Sequence, residues 1–249
     1  MWPDSEGRRR SNEVATCLLK YIEIQSHQGV RDITMFSDIC AGQNRKQFVA
    51  FALNFARTHF KLETVTHTFL EKGHTETEND LVHATIERKS RNIDICSPEQ
   101  WFTVPRTARI LKQPYVVHEM TSGDFIDFKG MASQVRNLTT DDSGNKISWS
   151  KVGQVMSMAD DPSVLHIKTF YNGQPQRLDL NRQNRVSAGA DACNVKLKLM
   201  KGMCKPGIPE LKKRDLMTLC SSGQIPTAYR AFYESLPTDG DAEDSASED

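Results

Sequence analysis

Two acidic residues that follow strand-like segments give this chain its clearest chemical signal. Asp38 comes directly after the short apolar run at residues 33–37, and Asp80 follows a second apolar run that closes at Gly73-His74. Ligands of a parallel sheet bind beyond the carboxyl ends of its strands, so we expect these residues to lie on one rim. Carboxylates at such positions suit Mg²⁺ or Mn²⁺, and a pair of these ions promotes phosphoryl transfer. The pattern predicts a divalent-metal phosphoryl-transfer site.

Composition narrows the class of protein. The chain has 249 residues with 32 bases and 32 acids, and its last thirteen residues hold six acids and no base, so the remainder is net +6 (32 bases against 26 acids). A mildly basic body is compatible with DNA as a partner. We find no apolar run of about 18 residues and no apolar signal core, so we expect no membrane partner. Six scattered cysteines without a CxxC pair indicate reduced thiols, as in the nucleus or cytoplasm.

Helices and strands are predicted to alternate over the first 95 residues. Helical spacing predicts a helix from Ser11, a second over residues 44–60, and a third from Thr75 or Thr77 to Ser90. Strands are expected over residues 33–37 and 62–70. This order implies βαβ units, and therefore a mostly parallel sheet flanked by helices.

Beyond residue 95 the predicted helices and strands no longer alternate regularly. Helices are predicted over residues 97–111 and 210–220, strands over 114–120 and 147–150, a loop over 139–146, and a hairpin of residues 164–171 and 176–180 around Asn172-Gly173. We expect an α/β core at residues 1–95, a mixed α+β extension with a basic segment at 96–236, and an acidic disordered tail at 237–249.

The strings SDICAGQNRKQF (residues 37–48) and VTHTFLEKGHTETENDLVHATIERK (residues 65–89) closely resemble a domain of unknown function in transposon-derived proteins of insects and other animals. Its members show a Ser-Asp-x-Cys-x-Gly-Gln-Asn turn and then Gly-His-Thr-x-x-Glu-x-Asp-x-x-His. The strings SWSKV and IPTAYRAFYESL resemble its C-terminal region, so the likeness covers nearly the whole chain. More broadly, the chain is similar to transposases with an RNase-H-like core.

The resemblance implies roles for individual residues. Asp38 matches the acid after the fourth strand of such a core and would bind a metal ion. Asp80 matches the third acid and would bind metal or position the attacking water, with Glu78 as its nearest substitute. His83, one helical turn beyond Asp80, would act on the same face. The three leading strands of the core, with the first acid, have no counterpart before Ser11, so we expect a partial RNase-H-like core that begins inside the fold.

A second group of side chains is expected to contact a nucleic-acid backbone. Its members are amides at a helix start, a histidine and lysines of the basic segment: Gln43, Asn44, His74, Lys198, Lys201, Lys212 and Lys213. The function expected is a transposon-derived protein whose ancestors cleaved and transferred DNA strands with Mg²⁺ or Mn²⁺, and which is itself inactive or incomplete because the first acid is missing. The alternative is a non-catalytic, domesticated module that binds nucleic acid or another protein. The partners expected are DNA, another protein or a second copy in a homo-oligomer.

Each site residue also has a purely structural interpretation. Asp38 could form an Asx turn or cap the following helix. Glu78 and Asp80 could stabilise a helix N-terminus through its dipole, and His83 could pair with Asp80. The lysines could form a solvated face, and Cys40 could simply pack. The sequence contains no GxSxG motif, which disfavours an α/β hydrolase.

Overall fold

A computed structural model describes residues 1–38, 45–70, 78–181, 192–200 and 206–239 of the chain. The chain divides into two compact units. The sheet unit comprises residues 9–75 and 124–201, and the helical unit comprises residues 1–8, 76–123 and 202–249. Both units contain residues from either side of position 95.

Short helices and strands make up the regular structure of the described ranges. In chain order they are α1 (Ser11–His27), β1 (Asp32–Ser37), α2 (Gln47–His59), β2 (Thr64–Phe69), α3 (Glu78–Ser90), α4 (Pro98–Ala108), α5 (Phe128–Ala132), β3 (Gln154–Met158), β4 (Val164–Lys168), β5 (Gln176–Asp179), β6 (Ile208–Pro209), α6 (Glu210–Ser221), α7 (Arg230–Ser235) and β7 (Thr238–Asp239). The chain is therefore a mixed α/β protein.

The main sheet has five strands in the order β1-β2-β3-β4-β5. Strands β1 and β2 are parallel, and each of the other three neighbouring pairs is antiparallel. The sheet is therefore mixed, and the prediction of a mostly parallel sheet was wrong. Helix α2 connects the parallel strands β1 and β2, whereas short turns join β3 to β4 and β4 to β5, and short turns produce antiparallel pairs. The long connection from β2 to β3, which includes α3, α4 and α5, also returns the chain antiparallel.

The core of the sheet unit lies between α1, α2 and one face of the sheet. Alternate residues of successive strands point to this face, and Val65, Val155, Ile167 and Leu178 on it are at most 2 % exposed. Helix α2 covers them with side chains such as Phe51, which is fully buried. Each such side chain stabilises the fold by roughly 1.5–3 kcal/mol through removal of apolar surface from water.

Several predicted elements are confirmed. Helix α1 begins at Ser11, and α4 follows Ser97, whose Oγ accepts a hydrogen bond from the backbone N–H of Gln100 at 3.4 Å. The hairpin predicted around Asn172-Gly173 is formed by β4 and β5. In the predicted loop, the Asp141 carboxylate accepts hydrogen bonds from the backbone N–H groups of Ser143 (2.9 Å) and Asn145 (2.7 Å), and from Asn145 Nδ2 (2.9 Å).

Two predicted strands are not formed. Residues 114–120 belong to no strand of the described chain, and Val116 is 80 % exposed, because β-branched residues favour a strand only where a neighbouring strand pairs with them. Residues 149–151 instead form a 3₁₀ turn, where Trp149 Nε1 donates to the carbonyl oxygen of Leu138 at 2.7 Å. Strand β3, at the centre of the sheet, was not predicted.

The helical unit contains α3, α4, α6 and α7. Helix α3 packs against α4, and α6 packs against α7. None of the helices in the described ranges is both long and apolar enough to cross a membrane.

Candidate functional site

The carboxyl edge of the parallel β1–β2 pair is where a ligand would bind in such a sheet. The register places Ser37 opposite Phe69, and the backbone N–H of Leu70 donates to the carbonyl oxygen of Ser37 at 2.8 Å. Asp38 therefore lies beside Leu70, where the chain leaves β2, and its side chain is exposed. One carboxylate is thus available to solvent at this edge.

Directly inside that edge, Ser37 and His67 form a hydrogen-bonded pair. The distance between Ser37 Oγ and His67 Nε2 is 2.9 Å. The Ser37 hydroxyl also donates to the carbonyl oxygen of Asp38 at 3.2 Å, so we assign the Nε2–H of His67 as the donor to Ser37 Oγ. His67 is 2 % exposed, and this burial lowers its pKa to about 4. Its Nδ1 is buried without a hydrogen-bond partner among the described residues.

Ser37 and His67 are spaced like a catalytic nucleophile and its general base, but His67 cannot act as an effective base. A base must hold a proton readily near neutral pH, and a buried imidazole with a pKa of about 4 does so poorly. In the described part of the chain no carboxylate binds Nδ1 to orient the ring. The pair therefore joins the end of β1 to β2 and holds the main chain next to Asp38.

The end of β2 is anchored by two further side chains. The Arg45 guanidinium lies over the Phe69 ring, 5.0 Å from its centroid, and Arg45 Nη1 donates to the carbonyl oxygen of Ser150 at 2.5 Å. Tyr171 donates from its hydroxyl to the carbonyl oxygen of Phe69 at 3.2 Å. Arg45 is 8 % exposed, and burial lowers its pKa from the ordinary value. These contacts fix the position at which the chain leaves the sheet.

The other predicted site residues lie on α3, in the helical unit. Glu78, Asp80 and His83 are all exposed. With 100° between successive residues, Asp80 and His83 share one side of the helix with Glu87, whereas Glu78 projects from the opposite side. Glu78 therefore does not lie on the side of α3 that Asp80 shares with His83.

The described residues do not complete a two-metal site. No three histidine, cysteine, aspartate or glutamate side chains within these ranges are grouped so that they could hold a metal ion. The β1–β2 edge supplies the carboxylate of Asp38, while Asp80 belongs to the other unit. Mg²⁺ takes about six oxygen ligands in regular geometry, so the described residues supply only part of a ligand set for such an ion.

The residues predicted to contact nucleic acid divide into two groups. Gln43, Asn44, His74 and Lys201 lie outside the described residues, as does Cys40. The remaining three lysines contact other parts of the chain, and they belong to different units.

Each of these three lysines stabilises local structure. In the sheet unit, Lys198 Nζ lies 2.9 Å from Asp127 Oδ2. Burial of Asp127 raises its pKa, but the hydrogen bonds from Lys198 and from the backbone N–H of Gly130, together with the charges of Lys198 and Lys129, lower the pKa overall. In the helical unit, Lys212 Nζ lies 3.3 Å from Asp4 Oδ2, and Lys213 Nζ donates to the carbonyl oxygen of Leu236 at 2.6 Å. Both ion-pairing lysines remain about half exposed.

No protein-family model, curated protein or solved structure matches the chain. The resemblance of its motifs to a transposon-derived family therefore stays a prediction.

Proposed function

We propose that this chain is related to the divalent-metal-dependent transposases that cleave and join DNA strands, and that its own metal site is incomplete. The observation that carries this proposal is the parallel β1–β2 pair, which presents the Asp38 carboxylate at its carboxyl edge. A helical crossover between the strands creates the type of edge at which α/β enzymes bind phosphorylated ligands.

The charge of the chain supports a polyanion as the ligand. Without its last thirteen residues the chain is net +6, and a positive body attracts a phosphodiester backbone. The buried Arg45 contacts Phe69, the last residue of β2, and β2 pairs with the strand that Asp38 follows. A carboxylate with a bound divalent ion would add a further positive charge there.

The incomplete donor set leads to a low expected activity. Two-metal phosphoryl transfer needs a carboxylate that bridges the ions and others that flank them. In the described part of the sheet unit, Asp38 is the acid that follows the carboxyl end of β1. We therefore expect ion binding that depends on Asp38, without efficient strand cleavage.

Calorimetric titration with Mn²⁺ tests the ion-binding part. The wild-type chain should bind Mn²⁺, and Asp38→Ala should abolish that binding. Asp160→Ala is the matched control, because Asp160 is also an exposed aspartate of the sheet unit but lies in the turn after β3. Unchanged Mn²⁺ affinity in Asp38→Ala would contradict the assignment of Asp38 as a metal ligand.

A nicking assay on supercoiled plasmid DNA tests the activity. The wild-type chain with Mg²⁺ or Mn²⁺ should produce little or no nicked DNA above the level of Asp38→Ala. Robust metal-dependent nicking that Asp38→Ala removes would show that the site is complete, and would overturn our proposal of an incomplete one.

A second candidate function is a non-catalytic binding module. The observation that favours it is α3, which has no buried residue along its 13 positions and so presents most of its surface for contact with a partner. If Asp38→Ala leaves Mn²⁺ binding unchanged while the chain still binds another macromolecule, this second function is the better description.

A further inference from the structure

One side of α3 carries opposite charges at its two ends. Glu78, Leu81, Thr85, Arg88 and Lys89 follow one another at intervals of three, four, three and one residues, which places them on a single side of the helix. All but the half-buried Thr85 are exposed, and Leu81 is 71 % exposed. This side, which we call the α3 stripe, therefore has an acidic end, an apolar middle and a basic end.

The basic end of the α3 stripe borders a groove of about 520 Å³. The segment after α4 forms its other wall and adds two cations, Arg109 and Lys112, to those of the stripe. No acidic residue lines it among the described residues. Between the cations lie two aliphatic side chains that are almost fully exposed, Ile110 at 89 % and Leu111 at 96 %. These two neighbouring side chains form an exposed apolar patch beside the cations, which a partner with an aliphatic side chain would cover.

One wall of the groove is held in place before any partner binds. The Arg109 guanidinium lies 4.0 Å from the centroid of the Tyr115 ring, close enough for a cation–π interaction. A guanidinium fixed in this way loses little conformational freedom when it pairs with a carboxylate. The groove therefore favours a partner that presents both a carboxylate and an aliphatic side chain.

Two other partners satisfy only part of this requirement. A nucleic-acid backbone would pair with the cations, but would leave Ile110 and Leu111 uncovered, and Arg109 already covers the Tyr115 ring on which a base could stack. The acidic residues 237–249 of the same chain contain six acids, but no aliphatic side chain larger than alanine or proline. The acidic end of the α3 stripe, with Glu78 beside Leu81, provides both features.

We propose that the α3 stripe binds the α3 stripe of a second copy, so that two copies form an antiparallel, twofold-symmetric dimer. A twofold axis across the middle of α3 brings Glu78 of each copy to the basic end of the other, near Lys89. The same operation carries Leu81 of each copy towards Ile110 and Leu111 of the other. Such an interface is self-complementary, because every contact occurs twice.

The dimer is independent of the proposed metal chemistry. Asp80, His83 and Glu87 project from the side of α3 opposite the stripe, so substitutions on the stripe leave them unchanged. A single helix of 13 residues is about 20 Å long, and with the adjoining segment it forms a small interface. Small, partly charged interfaces are weak, so we expect a dimer whose population rises with protein concentration and falls with salt.

Charge reversal provides the test, with sedimentation velocity of the full chain as the measurement. Glu78→Lys should add a cation opposite Lys89 at each basic end, Lys89→Glu should place two carboxylates opposite each other, and each should weaken the dimer roughly tenfold or more. An equimolar mixture of these two single variants should dimerise again, because the cation introduced at position 78 of one copy then meets the carboxylate introduced at position 89 of the other. Circular dichroism of each variant checks that these exposed substitutions leave the fold intact.

Glu87→Lys is the matched control, because Glu87 is an exposed glutamate of α3 on the opposite side; it should leave the dimer unchanged. A wild-type chain that stays monomeric at every concentration overturns the proposal, and so does a mixture of the single variants that fails to dimerise. A third contradicting result is salt-dependent binding of duplex DNA that Lys89→Glu removes while the mass of the protein stays constant, since the groove would then bind nucleic acid.

Discussion

Helices α2 and α3 have the same length and are separated in the chain by β2, yet their surroundings are opposite. Nine consecutive residues of α2, from Val49 to Arg57, are buried, whereas α3 has no buried residue. A helix buried on all sides can change its side chains only at a cost in stability. A helix exposed on most sides can acquire charges at little cost, so binding functions evolve more readily on α3.

The contrast extends to polar residues. On α2, Arg57 donates from Nε to Ser157 Oγ at 3.0 Å and from Nη2 to the carbonyl oxygen of Pro162 at 2.9 Å. Asn54 Nδ2 donates to the same two oxygens, at 3.0 Å and 2.9 Å. These contacts tie α2 to β3 and to the turn after it, and burial lowers the Arg57 pKa. Polar residues of α2 therefore serve the fold, while those of α3 face solvent.

The largest loss of stability should come from a substitution in the buried helix α2. Phe51→Ala removes a fully buried ring of α2 and should lower the free energy of unfolding by about 3–5 kcal/mol. Leu81→Ala on α3 should change it by less than about 0.5 kcal/mol. Urea denaturation of both variants measures the difference. Similar losses in the two variants would refute the contrast between the helices.

Acid should destabilise the sheet unit through His67. Its pKa is about 4 when folded and about 6.5 when unfolded, so below pH 6.5 the unfolded chain binds the extra proton and the folded chain does not. The free energy of unfolding should therefore fall as the pH drops from 6.5 to 4, by about 3 kcal/mol in total.

Urea denaturation as a function of pH, compared with His67→Gln, isolates this contribution. Glutamine can still hydrogen-bond Ser37 but does not titrate, so the variant should show a flatter pH dependence between pH 6.5 and 4. The hydrogen bonds from Asn145 lower the pKa of Asp141, whose contribution is lost only below the ordinary range of an aspartate and so falls outside this window. Parallel curves for the two proteins would contradict the role of His67.

A smaller effect is expected in the loop before β3. Asp141→Ala removes a carboxylate that accepts three hydrogen bonds from Ser143 and Asn145, and should destabilise the chain by about 2 kcal/mol. Asp141→Asn keeps one acceptor oxygen and should recover part of this loss. Thermal unfolding at about pH 7 distinguishes the three proteins, and equal melting temperatures would show that the hydrogen bonds add nothing.

The smallest effect should occur at the predicted site residue of α3. Asp80→Asn should change the free energy of unfolding by less than about 0.5 kcal/mol, because the side chain is exposed at the solvent-facing side of the helix. The same denaturation experiment gives the value. A loss of roughly 2 kcal/mol or more would show that Asp80 has a structural role that its exposure conceals.

These contrasts also explain what could be predicted from the sequence. Helix periodicity is local, so the starts of α1 and α4 could be read from Ser11 and from Ser97-Pro98. The parallel pairing of β1 with β2 could be inferred from the helix between them. Strand β3 could not be predicted, because Gln154 and Ser157 give its sequence little of the β-branched character that is typical of a strand.

The local geometry of the candidate site depends on information that the sequence does not contain. The Ser37–His67 contact requires the register that places Ser37 opposite Phe69, so that His67 lies one diagonal step away on the same face. In contrast, the opposite orientations of Glu78 and Asp80 follow from their spacing once α3 is known to include both. The relative orientation of Glu78 and Asp80 was therefore predictable from the sequence, whereas the Ser37–His67 contact next to Asp38 was not.

The position of β2 in the sheet has a consequence during protein synthesis. Its first neighbour, β1, precedes it on the ribosome, but its other neighbour, β3, pairs Met158 with Thr64 and is made much later. At roughly 5–20 residues per second, the nascent chain spends roughly 5 to 20 s with one side of β2 lacking that partner. During this interval the exposed strand edge is a target for chaperones, and without them for aggregation.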